Sequence, residues 1–224
     1  MTNLNDNIAN IEQQIVNACQ QNQRNRADIS LIAVSKTKPS NLLAQAYQLG
    51  QRQFAENYLQ EALEKMAELA HLPDLVWHFI GPIQSNKTKT IAEQFCWVQS
   101  VDRAKIAHRL NEQRGSNRPP LNVCIQVNID HEPTKAGVLP DDIGSLATII
   151  EQCPHLTLRG LMAIPAVQTE LTSYQQLLRL FIELQLRYPH VDTLSVGMSN
   201  DLTQAIANGS TMLRIGTAFF GHRV

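Results

Sequence analysis

The chain has 224 residues, a formal net charge of -1 and a hydrophobic share of 43%. That length suits one large domain or two small ones with a sizeable core, the near-zero charge gives no electrostatic footing for nucleic acid or an anionic membrane, and no apolar run approaches the roughly 20 residues that span a bilayer. The N-terminus, Met1 to Asp6, has no basic or apolar stretch of the signal-peptide type, and the four cysteines, Cys19, Cys96, Cys124 and Cys153, form no CxxC pair, so the composition predicts reduced thiols in a cytoplasmic protein.

A helix is predicted over Leu4–Gln21. The first apolar run, Ser30–Ser35, reads as a strand that delivers Lys36 at its end, followed by Thr37, Lys38 and Pro39. A helix over Ser40–Leu49 stops at Gly50. Strand Gln53–Glu56 leads into a helix over Tyr58–Ala70 with Leu59, Ala62, Leu63, Met66 and Ala67 on one face. Strands follow at Val76–Ile80 and Cys96–Val101, then a helix over Arg103–Arg114 with Asp102 as its N-cap and Gly115 as its stop. After a loop over 115–120 come strand Asn122–Asn128, helix Ile143–Gln152, strand Leu158–Ile164 and helix Leu171–Tyr188. Strand Thr193–Met198, helix Asp201–Asn208 before Gly209, and strand Thr211–Gly216 complete the pattern.

The eight strand starts are spaced by 23, 23, 20, 26, 36, 35 and 18 residues, which leaves room for a helix between each pair. Alternating strands and helices imply parallel pairing through right-handed crossovers. Eight such units predict an α/β fold, a single (β/α)8 barrel with an extra N-terminal helix, filling residues 1–224 as one domain. Leu31–Val34 and Val123–Val127 are nearly continuous apolar runs, as strands covered on both faces should be. An open doubly wound sheet is the competing architecture, but no strand is followed by G-x-G-x-x-G or a Walker loop.

In such a barrel the working groups lie just after the strands. Those positions hold Lys36, Asn57, Gly81 (with His78 inside strand three), Asn128, Pro165, Ser199 and Asn200, and Gly216 and Thr217. Lys36 is the one amine nucleophile among amides, hydroxyls and glycines. Desolvation at the end of a buried strand favours its neutral form, which suits Schiff-base chemistry with an aldehyde. The loops after strands seven and eight are where barrels commonly bind phosphate; Ser199 and Thr217 offer hydroxyls, Gly216 permits close backbone approach, and Arg214 adds a fixed positive charge. Read singly, Lys36 is a solvated lysine, Ser199 an N-cap and Arg214 a surface ion-pair partner. Together they describe a site for an aldehyde that bears a phosphate. The histidines include no HxxxH or HExxH pair, which argues against a metal site, and no G-x-S-x-G elbow is present. Glu56, Glu61 and Glu64 read as a solvated face, and His78, between Trp77 and Phe79, as a hydrogen-bonded structural residue.

These segments resemble the pyridoxal phosphate homeostasis proteins, also called the proline synthase co-transcribed or alanine racemase N-terminal-like group. The resemblance runs through Leu31–Pro39, Phe54–Glu61, Trp77–Lys87, Val98–Arg103, Gln126–Ile129 with Lys135–Gly137, Arg159–Met162, Leu194–Asp201, Gly209–Thr217 and Phe220-Gly221. Two departures stand out: Pro82 where the family usually has histidine, and Phe54-Ala55-Glu56 in place of phenylalanine-glycine-glutamate. The resemblance implies a fold-type III barrel that binds pyridoxal 5′-phosphate (PLP), with Lys36 forming the internal aldimine. It also implies a phosphate held by Ser199, Gly216 and Thr217, with Arg214 beside it and Asn57 and Met198 next to the ring. Arg214 further matches the arginine that faces the pyridine nitrogen in the related alanine racemases, where it weakens the cofactor as an electron sink.

The resemblance implies a non-catalytic carrier that buffers and delivers PLP, with apo PLP-dependent enzymes as partners. The alternative is a PLP-dependent amino-acid racemase. Racemisation needs acid–base groups on both faces of the substrate, and in the racemases the second is a tyrosine from a C-terminal β-domain. This chain stops at Val224, eight residues after Gly216, so the sequence predicts no such domain and a monomer. Tyr47, Tyr58, Tyr174 and Tyr188 all fall in predicted helices and make poor substitutes. A third reading, a cofactor-free aldolase-like barrel, places its lysine on a later strand. Lys38 and Lys135 are candidate secondary handover sites, without a motif behind them.

Overall fold

A computed structural model describes residues 3–166 and 171–221. The chain ends used above, Met1, Thr2 and Val224, lie outside the described residues. Eight parallel strands, β1 (Ser30–Val34), β2 (Gln53–Glu56), β3 (Val76–Phe79), β4 (Trp97–Val101), β5 (Leu121–Val127), β6 (Leu156–Ala163), β7 (Thr193–Ser195) and β8 (Met212–Ile215), follow one another around a closed barrel. Closure is made by β1 on β8, with Ser30 opposite Met212 and Ala33 opposite Ile215. The expected (β/α)8 barrel is therefore the fold observed.

Helices α1 (Leu4–Gln21), α2 (Ser40–Gln48), α3 (Leu59–Glu68), α4 (Thr88–Gln94), α5 (Ala104–Arg114), α6 (Ile143–Glu151), α7 (Leu171–Arg187), α8 (Leu202–Ala207) and α9 (Thr217–Phe220) surround it. The extra helix α1 matches its predicted bounds. Asn3 caps it by accepting the Asn5 N–H, and its buried stripe Ile11, Ile15, Ala18 and Cys19 packs toward α8 and α9. Most of the core lies between the strands and the helix ring. A smaller cluster, Ile32, Val34, Ala55 and Met212 with Ile80 and Trp97, fills the barrel interior.

Several local expectations change. Asp102 does not cap α5: Arg103 takes that position without a side-chain cap bond, and the Asp102 carboxylate pairs with the Arg103 guanidinium instead. On α3 the expected face holds in Ala62, which is buried, and in Leu59 and Met66, which pack against the core, but Lys65 is buried beside them and Ala67 is exposed. Helices α4 and α9 were not expected, because seven and four residues are too short to show a helical period. Tyr58 and Tyr188 flank helices rather than lie in them. Gly50, Gly115 and Gly209 stop their helices as expected, each at positive φ. All four cysteines are free, and among the described residues no helix is long and apolar enough to cross a membrane.

Candidate functional site

At the end of the barrel where the strands terminate lies a cavity of about 530 Å³. Its lining includes all seven residues that the resemblance gives to the cofactor, Lys36, Asn57, Met198, Ser199, Arg214, Gly216 and Thr217, whereas Gly81, Asn128 and Pro165, also expected past the strands, do not line it. Val34, Ile80, Met162, Ile164 and Asn200 complete it. The apolar four were missed, although Val34, Ile80 and Met162 occupy inward strand or strand-end positions that the period-2 alternation marks.

Lys36 rides on a turn closed by the Lys38 N–H donating to Ser35 O at 3.0 Å. Thr37, third in that turn, has φ 62°, a type II position that ordinarily calls for glycine. The turn rests on a buried ionic cluster. Lys65 Nζ donates to Ser35 O (2.7 Å), Glu56 Oε1 (2.7 Å) and Glu61 Oε1 (2.6 Å). Ser35 Oγ donates to Glu56 Oε1 at 2.6 Å, and the Thr37 N–H donates to Glu61 Oε1 at 2.5 Å. The solvated face expected of Glu56, Glu61 and Glu64 is thus corrected: Glu56 is fully buried on β2, Glu61 is half-buried and paired, and only Glu64 is exposed. Burial pushes the Glu56 carboxyl up, against the pull of Lys65 and Ser35.

Asn57 follows β2, and its Oδ1 is buried with no hydrogen-bond partner among the described residues. Gly81 permits the neighbouring backbone to approach it, since a Cβ there would stand 2.1 Å from Asn57 O. In the loop after β7, Asp201 precedes α8, and its carboxylate accepts the Met198 N–H (2.7 Å) and the Tyr174 hydroxyl (2.5 Å). Ser199 is not the N-cap. Its Oγ accepts the Ala218 N–H at 3.2 Å, which ties the loops after β7 and β8 together. Helices α8 and α9 are too short to supply much macrodipole, so anion binding here rests on N–H groups, hydroxyls and Arg214.

Arg214 is buried rather than on the surface. It donates from Nη1 to Ser195 O (2.8 Å) and Ser195 Oγ (2.6 Å), and from Nη2 to Ala163 O (2.8 Å). No carboxylate comes within ion-pair distance of it among the described residues. Burial pushes its pKa down to about 10, so it stays cationic at neutral pH. A buried cation with only neutral partners makes the cavity favourable for an anion.

Behind Arg214 a chain of hydrogen bonds crosses the barrel interior. Ser195 Oγ donates to Gln99 Oε1 (2.7 Å), Gln99 Nε2 donates to His78 Nδ1 (3.0 Å), and His78 Nε2 lies 3.1 Å from Gln53 Oε1. The donors run head to tail when His78 is neutral with its proton on Nε2. His78 stacks on Trp97 and is fully buried, which pushes its pKa down to about 3. The structural role expected of His78 is the one found. Because the unfolded chain takes up a proton on this side chain near pH 6.5 and the folded chain does not, stability falls as pH drops from about 6.5 toward 3. Urea unfolding at pH 7 and pH 5 is expected to show a His78→Gln variant losing about 2 kcal/mol less than the wild type over that interval. Equal losses would remove His78 from the account.

The two sequence departures fall outside the cavity lining. Ala55 is buried in the barrel interior, and Pro82 lines a neighbouring cavity of about 760 Å³ that shares Asn57. Lys38 Nζ donates to Gly221 O (3.0 Å), and Lys135 pairs with Glu132 and donates to Ile164 O. Neither lines the 530 Å³ cavity.

Residues 7–224 match the alanine racemase N-terminal domain. The chain is 53% identical to the pyridoxal phosphate homeostasis protein of Pseudomonas aeruginosa, over all of this chain and 97% of that one. It is 50% identical to the protein of that name from Haemophilus influenzae, over 99% and 96% of the two chains. Among solved structures, PipY of Synechococcus elongatus with PLP bound superposes with a TM-score of 0.85 at 35% identity, covering 98% of this chain and all of that one.

Proposed function

We propose, on the footing that this chain belongs to the alanine racemase N-terminal domain family and within it to the pyridoxal phosphate homeostasis proteins, that it binds PLP and holds it for delivery to other proteins. The observation that carries this reading is the pairing in one cavity of the Lys36 amine with a buried Arg214 that has no carboxylate partner among the described residues. The residues fit the group. PLP supplies an aldehyde and a phosphate dianion; the amine suits the first, and the second suits the Ser199 and Thr217 hydroxyls, the backbone at Gly216 and the positive charge of Arg214. A Cβ at Gly216 would stand 3.4 Å from Val34 Cβ and O, so a side chain there would rest against β1 beside Lys36. Asn57, whose Oδ1 has no partner among the described residues, and the exposed Met198 line the same cavity, which supports assigning them to the ring.

In this reading Lys36 holds the cofactor as a Schiff base, and residues 1–224 act as one PLP-binding unit, a cytoplasmic monomer. A carrier role is favoured over racemisation because a racemase needs a second proton-transfer group facing the substrate. Tyr174 is buried and bonded to Asp201, and none of Tyr47, Tyr58, Tyr174 and Tyr188 lines the cavity. The test is transfer. Protein loaded with PLP is mixed with an apo PLP-dependent enzyme, with a trap for free PLP present, and racemisation of alanine is assayed alongside. Recovery of the recipient's activity in the presence of the trap, without racemisation by the donor, is the expected result. Turnover of alanine at a rate typical of enzymes, roughly 1 s⁻¹ or more, would establish the racemase instead.

A further inference from the structure

We propose that the buried cluster Glu56–Lys65–Glu61 is a clamp that aims the Lys36 amine, making Lys65 and Glu61 positioning residues for attachment of the cofactor. This rests on the PLP reading of the cavity. None of the three cluster residues lines that cavity, yet their bonds converge on the two residues that flank Lys36. On one side, Ser35 is fully buried and fixed three ways: its N–H donates to Ala55 O (3.0 Å), its hydroxyl to Glu56, and its carbonyl accepts Lys65 Nζ. On the other side, the Thr37 N–H is held by Glu61 at 2.5 Å. Thr37 is β-branched and sits at φ 62°, a conformation that persists only where the surroundings enforce it. Glu61 is the group positioned to enforce it, and Lys65, 5% exposed, ties Glu61 to Glu56 and to Ser35 O at once.

A cluster present only for stability has no reason to converge on one turn. An ammonium and a carboxylate out of water, with a half-buried carboxylate beside them, are no reliable source of stability, since their desolvation offsets much of their attraction. Fixing a nucleophile is a different use. When the Lys36 amine condenses with the aldehyde, a C=N bond forms and the carbonyl oxygen leaves as water. That attack has a narrow geometry, and a turn free to relax would spread the amine over many positions.

The experiment separates aiming from binding with two ligands: PLP, and 4-deoxypyridoxine 5′-phosphate, which carries a methyl group in place of the aldehyde. Lys65→Met, Glu61→Ala and Glu61→Gln are compared with the wild type for affinity toward the analogue and for the rate at which PLP produces its near-visible band. The expected result for Lys65→Met and Glu61→Ala is analogue affinity within about twofold of wild type, with the band appearing about tenfold more slowly. Glu61→Gln keeps an acceptor for the Thr37 N–H and is expected to recover most of the rate. If Lys65→Met does not fold, the half-buried Glu61 pair decides the question. A wild-type rate in Glu61→Ala overturns the clamp, as does an equal loss toward both ligands that glutamine fails to restore. A wild type that binds neither ligand overturns the PLP reading itself and the clamp with it, and is distinguished by failing before any variant is compared.

Discussion

Lys36→Ala is expected to lose the near-visible absorbance band that the wild type gains with PLP, because the variant has no amine at the cavity to join the aldehyde. The loss should be complete rather than graded. Lys38 and Lys135 are the lysines with sequence-based claims as substitutes, and both are engaged elsewhere: Lys38 with Gly221 O, Lys135 with Glu132 and Ile164 O. Residual affinity should persist, since the phosphate groups of the site are untouched. The fold should also survive, because Lys36 is half-buried at the cavity wall and takes no part in the core. An absorbance spectrum and a thermal melt of the purified variant check both halves. An undiminished band in the variant would remove Lys36 from its assigned role.

The second large effect is expected at Arg214. Replacing it with methionine removes the buried positive charge and weakens PLP affinity by roughly 2 kcal/mol, about thirtyfold. Ser199→Ala removes a single hydroxyl and is expected to cost about 1 kcal/mol. The arginine carries the larger share because its charge is nearly out of solvent, at 3% exposure, and among the described residues no carboxylate comes within ion-pair distance of it, Asp201 acting on it only from farther off. Methionine leaves Ser195 O and Ala163 O without that donor, so some stability is lost as well, and affinity must be measured below the variant's melting range. Binding isotherms for wild type, Arg214→Met and Ser199→Ala settle the order. Unchanged affinity in Arg214→Met would mean that the phosphate is held elsewhere.

The barrel was legible because its signals are local and repeated. Strands β1 and β5 are apolar almost throughout, α1 shows an uninterrupted helical stripe, and the glycines at 50, 115 and 209 stand where helices stop. The cavity was legible for a related reason: in this architecture the residues just past the strands converge on one end, so Lys36, Asn57, Ser199 and Thr217 are brought together by topology alone. What stayed hidden depends on pairing between elements. Glu56 on β2 and Lys65 on α3 look like ordinary surface charges until the two elements pack and exclude water from between them. The chain from Arg214 through Ser195, Gln99 and His78 to Gln53 draws on five strands, and no spacing within one strand announces it. Asp102 has the composition of an N-cap, but the neighbouring Arg103 claims its carboxylate.

One covalent bond, between the Lys36 amine and the PLP aldehyde, tests the PLP reading most directly. The protein is loaded with PLP, reduced with borohydride, digested and mapped by mass. The near-visible band is expected to bleach, and one reduced adduct is expected on the peptide that contains Lys36. An adduct confined to other lysines, or no adduct from protein that has bound PLP, would contradict that reading.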